Sequence, residues 1–122
     1  MTNQATTKRV KHLLKVETHR FVSVEPQIED IEVGDWMTGL DWVLHGGESG
    51  RSARPFEIDW AKRFARECRR RHIPYFLKQL GSHVCRDGKR LTFEDGHAGD
   101  WSEWPVELRV RQVPRALHGD SR

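Results

Sequence analysis

One run of the sequence, from Trp42 to Gln79, most narrows what this chain can fold into. Trp42-Val43-Leu44-His45 is β-prone and stops at Gly46-Gly47-Glu48-Ser49-Gly50. Arg51 to Phe56 reads as loop, and Asp59 is placed to cap a helix. Trp60, Ala61, Phe64, Ala65 and Cys68 then recur at helical spacing, so one helical face is apolar. Arg69-Arg70-Arg71 suits a helix C-terminus, and Pro74 forbids continuation because its ring removes a donor and clashes with the preceding turn. Tyr75-Phe76-Leu77-Lys78-Gln79 follows as a second strand, ended by Gly81. Strand, helix and strand at this spacing predict a right-handed βαβ unit with parallel strands.

The flanking segments extend that unit. Phe21-Val22-Ser23-Val24-Glu25-Pro26 predicts a further strand stopped by proline. Val10 to Val16 reads as a short helix with Val10, Leu13 and Leu14 on one side, and Gln27 to Gly39 as an acidic connection. Asp87-Gly88-Lys89 between His83–Arg86 and Arg90–Phe93 predicts a β-hairpin. Trp101 to Pro114 reads as a helical or extended tail packed across the sheet. The expected class is α/β: about three parallel strands and one main helix, plus a hairpin and a C-terminal tail. At 122 residues the chain fits one domain, divided into an N-terminal segment (1–19), a β-α-β core (20–81) and a hairpin with tail (82–122).

Composition removes several classes. Ten Gly, five Pro and two Cys exclude collagen-like, low-complexity and disulfide-scaffold chains. No apolar stretch approaches the roughly 20 residues that span a bilayer, and the start MTNQATTKRVKH lacks a hydrophobic signal core, so a cytoplasmic protein is expected. Lys+Arg number 21 against 18 Asp+Glu, with the bases gathered at 8–15, 62–71 and 109–115. This excess permits a polyanionic partner without requiring one, since charge runs are commonly solvated helix faces. Cys68 and Cys85 form no CxxC pair; Cys68 falls on the apolar helical stripe, which suits a buried thiol.

Chemistry in parallel α/β folds gathers outside the carboxyl ends of the strands. Three such ends are predicted here, and they supply Ser23 and Glu25, then His45, Glu48 and Ser49, then Lys78 and Gln79. On one rim these groups can hold a cation or an amine, or move protons; they can equally form a structural Glu–Lys network. Gly46 to Gly50, with Arg51 and Arg54, is glycine-rich after a strand and can cradle an anion. It matches neither the P-loop nor the dinucleotide fingerprint, and a tight turn needing positive φ explains it as well. His83 and Cys85 alternate on one short strand, an incomplete metal set, so no metal is assigned. Arg69, Arg70, Arg71, Trp101 and Trp104 are candidate partner contacts, while Trp42 and Trp60 read as core.

Several of these motifs, in the same order, resemble one known family. Phe21-Val22-Ser23-Val24-Glu25-Pro26, Leu40-Asp41-Trp42-Val43, Gly46-Gly47-Glu48-Ser49-Gly50, Ala53-Arg54-Pro55, Phe76-Leu77-Lys78-Gln79, Trp101-Ser102-Glu103-Trp104-Pro105 and Leu108-Arg109-Val110-Arg111 are similar to the C-terminal half of the uncharacterised phage gene product 37/68 group. The resemblance implies a truncated partial (β/α) barrel, because full-length relatives look like radical-SAM-type partial barrels that open with a cysteine cluster. This chain starts within that pattern and carries no such cluster. SAM and an iron–sulfur cluster are therefore expected only in the longer relatives, and no cofactor is assigned to this chain. The implied function is a non-catalytic protein-binding module of a phage or mobile element, for instance an inhibitor of a host nucleic-acid-handling or defence complex. Two alternatives stand beside it: half of a radical-SAM-like enzyme completed by a separate cluster-bearing chain, and a nucleic-acid-binding accessory. A three-stranded half-barrel also leaves two strand edges unpaired, which the chain must cover itself, or by self-association or docking on another protein.

Overall fold

A computed structural model describes residues 12–16 and 19–114. Its centre is a parallel three-strand arrangement of β2 (His19–Val24), β3 (Trp42–Gly46) and β5 (Tyr75–Gln79), the three strands expected from the sequence. The fold is mixed α/β, and the strands form an open sheet. Helix α1 (Ile58–Arg71) connects β3 to β5 and lies on one face of the sheet. Val22, Val24, Val43, Tyr75 and Leu77 point to that face and are buried against Ala61, Phe64 and Cys68 of the helix. Alternation then sends Phe21, Ser23, Trp42, Leu44, Phe76 and Lys78 to the opposite face.

Both outer edges of the parallel trio are covered by the chain itself. β1 (His12–Val16) pairs antiparallel with β2, with Leu13 opposite Val22 and Val16 opposite His19. This overturns the helix expected at 10–16 as far as 12–16 are concerned; Val10 and Lys11 lie outside the described residues. A helix of that length is marginal alone, whereas an unpaired β2 edge offers a row of backbone partners. On the other side the tail runs along β5 rather than across the sheet. Leu77 donates to the Val110 carbonyl and Gln112 donates to that of Tyr75, with an isolated antiparallel bridge between Phe76 and Arg111. Upstream of that bridge the tail makes two 3-10 turns, at Trp101–Glu103 and Val106–Leu108.

A second, smaller sheet joins β4 (Phe56–Glu57), β6 (Val84–Arg86) and β7 (Lys89–Leu91). The expected hairpin is present: Asp87 and Gly88, with φ of 53° and 79°, make the two-residue turn between β6 and β7. β4 falls where loop was expected, because two residues carry no periodicity. It also runs directly into the helix, so Glu57 rather than Asp59 occupies the N-cap, and it does so without a capping side-chain bond. At the other end His72 takes a left-handed conformation (φ 59°) and Ile73 donates back to the Cys68 carbonyl, closing α1 just before Pro74. No helix among the described residues is long and apolar enough to cross a membrane.

Candidate functional site

The carboxyl end of the sheet is built where β2 and β5 flank β3. Glu25 follows β2 directly and precedes a cis Glu25–Pro26 peptide, and the Gln79 amide donates to its Oε2 at 3.0 Å and to the Gly47 carbonyl at 2.7 Å. Lys78 Nζ lies 3.6 Å from the same carboxylate oxygen, with its side chain 61% exposed. Glu25, Lys78 and Gln79 thus meet on one rim, as the strand-end argument anticipated. An ion pair this exposed contributes only about 0–1 kcal/mol.

The other predicted rim groups go elsewhere. Glu48 turns to Arg54, which binds it through its backbone N–H, Nε and Nη2 at 2.9, 2.9 and 2.8 Å. Those bonds hold the Glu48 carboxyl down at about 2 and raise the guanidinium of Arg54. Arg54 is therefore already matched to a carboxylate, while Ser49 and Arg51 are exposed on the loop beyond.

His45 lies on the helix side of the sheet, fully buried between Phe56 and Phe64. The Tyr75 hydroxyl donates to its Nδ1 at 2.7 Å, and its Nε2–H donates to Gln27 Oε1 at 2.6 Å, a tautomer fixed by the amide oxygen on that side. Burial lowers its pKa to about 3, so the ring is neutral and both nitrogens are satisfied. It supports the core and does not reach the rim. Its position two residues after Val43, on the same face of β3, is the signal that would have placed it there.

The glycine run serves close packing. A Cβ on Gly47 would stand 2.2 Å from the Leu80 carbonyl oxygen, and one on Gly46 would stand 3.0 Å from both the Gln79 amide and Glu25 Cγ. Neither glycine has a positive φ; of the glycines packed around this turn, Gly50 (106°) and Gly81 (102°) do. The segment is thus a strand end pressed on Gln79-Leu80-Gly81 and held by Gly47 N–H to the Gln79 carbonyl and Ser82 N–H to the Glu48 carbonyl.

The candidate partner residues divide in the same way. Arg70 and Arg71 both bind Glu67, and Arg71 also reaches Asp35 and Thr38, which ties the helix end to the Gln27–Gly39 connection. Arg69 is exposed with no side-chain partner among the described residues. Trp104 is buried (2% exposed) and donates Nε1–H to the Ala98 carbonyl, whereas Trp101 is 42% exposed. Between them sits a residue absent from the predicted site groups. The Arg111 guanidinium lies 5.9, 5.5 and 5.0 Å from the ring centroids of Phe76, Trp101 and Trp104. It donates to the carbonyls of Leu77, Lys78 and Gly99, fastening the tail to β5.

Neither cysteine suits a cluster. Cys68 is buried on α1, its thiol pushed up to about 12, and Cys85 is buried on β6 and also raised. Two protonated thiols on different elements do not form the thiolate set of an iron–sulfur cluster. Among the described residues no three His, Cys, Asp or Glu side chains converge as a metal site.

The most conspicuous surface is the sheet face opposite α1. Phe21 and Trp42 meet edge to face at 5.3 Å, Trp42 and Phe76 at 6.3 Å, and Leu44 is aligned with Phe76 in the register. Trp42, Leu44 and Phe76 are only half-buried, and Glu25 and Lys78 stand at the strand ends beside them. Comparisons with curated proteins and with solved structures gave no match. A family model, described as a protein of unknown function (DUF5131), matches residues 1–119. The chain belongs to that uncharacterised family.

Proposed function

We propose that this chain is a non-catalytic protein-binding module of a phage or mobile element, and that its contact surface is the helix-free face of the parallel sheet. The observation that carries this is the half-buried row Trp42, Leu44 and Phe76, set beside the buried Phe21 ring on the face opposite α1. Parallel sheets bury both faces, so a one-sided example offers apolar area to another protein. β1 and the tail cover the two edges of the parallel trio, so the reading rests on the face rather than on those edges. The titratable groups nearby support a binding role: Glu48 is held by Arg54, Glu25 by Lys78 and Gln79, and His45 is sealed in the core. An inhibitor of a host nucleic-acid-handling or defence complex is one concrete form of such a module. An enzyme half completed by a cluster-bearing chain would present the same face to its companion. The nucleic-acid reading is weaker, since two of the three consecutive arginines are engaged by Glu67.

The test is Leu44→Glu, which places a charge in the middle of the face. Affinity capture from host extract with the wild type should retain a discrete protein that the variant loses, while the circular dichroism of the two chains is the same. Equal retention by a folded Leu44→Glu variant, or a wild type that stays monomeric and retains nothing, overturns the proposal.

A further inference from the structure

A separate groove of about 600 Å³ lies beside α1, between the last turns of the helix, the start of β5 and the tail. Its floor is aliphatic, formed by Ala65, Cys68, Ile73, Leu108, Val110 and Val113. Along its helical wall run Lys62, Arg66 and Arg69, at i, i+4 and i+7, a spacing that stacks them as one ridge. Lys62 stands 3.7 Å from Glu107, the acidic residue of the lining. Arg66 and Arg69 are exposed and have no carboxylate partner among the described residues.

We infer that this groove binds a small amphipathic anion: an aliphatic body lying on the floor, with one carboxylate held by Arg66 and Arg69. The volume falls within the roughly 300–1,000 Å³ of small-molecule sites, which combine an apolar lining with a few charged groups. Planar guanidinium groups match carboxylates in a paired geometry, and two with no carboxylate partner among the described residues give the mouth of the groove an excess of positive charge. A nucleic-acid strand would need aromatic faces for its bases. Of the two aromatic rings in the lining, Tyr75 is buried with its hydroxyl on His45, which leaves the His72 imidazole alone and no run of stacking faces. The inference is independent of the sheet face, since Trp42, Leu44 and Phe76 are not in the lining.

The test uses the full chain, isotopically labelled, and follows its amide resonances during titration with sodium decanoate below its micelle concentration. Saturable shifts centred on Ala65, Cys68, Arg69, Ile73 and Val110 are expected. The Kd should rise at least tenfold for the Arg66→Glu/Arg69→Glu double variant, and by a similar factor when decanol replaces decanoate. Ala65→Trp, which fills the floor and leaves every charge in place, should abolish the shifts, and it decides the matter if the double variant does not fold. Absence of saturable shifts, equal affinity for decanol, or shifts centred on Ser23, Leu44 and Phe76 would each overturn the assignment.

Discussion

At the scale of single residues the tightest constraints lie around β3. His45 is neutral in the fold, its pKa about 3 against an ordinary 6.5, so the unfolded chain binds the extra proton first. Its contribution to stability is complete above pH 6.5 and is lost as the pH falls from there toward 3, at about 1.4 kcal/mol per pH unit inside that window. Urea midpoints at pH 7.5, 6 and 5 should fall accordingly. His45→Gln should be less stable at pH 7.5 yet show a much flatter trend. The carboxylate Glu48, held near 2, is lost only at lower pH, so the interval from 6.5 to 5 isolates the histidine. Gly47 gives the second prediction. Its missing Cβ is what lets the Leu80 carbonyl approach, and both partners are backbone. Gly47→Ala should cost about 3 kcal/mol, read as a lowered urea midpoint with an unchanged slope.

At the scale of elements, the hairpin turn and the helix end show what local sequence can specify. Gly88, at φ 79°, is the second turn residue between β6 and β7. Gly88→Ala should cost about 1 kcal/mol, and the loss should appear as faster hydrogen exchange at Arg86 and Lys89 before it appears elsewhere. The Asp-Gly pair made that turn legible, as Pro74 made the end of α1 legible and the β-branched runs made three strands legible. β1 was not, because Leu13 and Leu14 fit a helix or a strand equally until β2 is there to pair with. β4 was not, because Phe56 and Glu57 are too few to show alternation. The rim was half legible: strand ends correctly brought together Glu25, Lys78 and Gln79. They could not show that Glu48 would turn to an arginine six residues on, nor that Gln27 and Tyr75 would enclose His45.

At the scale of the whole molecule, the parallel sheet is finished at its edges and unfinished on one face. Edge cover depends on backbone donors, so it can be removed without touching the core side chains. Gln112→Pro deletes the N–H that reaches Tyr75 and the side chain whose Oε1 accepts from the Tyr75 N–H. It should cost about 1–3 kcal/mol and should expose the β5 edge to other chains. Analytical ultracentrifugation at rising concentration should then show association that the wild type lacks.

Arg111 gives the tail an attachment that acid does not loosen. A guanidinium keeps its charge throughout the range in which His45 takes up a proton, so its three carbonyl bonds and its aromatic surroundings survive that titration. On acidification the molecule is therefore expected to soften from its centre outward, with the last segment still latched in place while the layer between helix and sheet gives way.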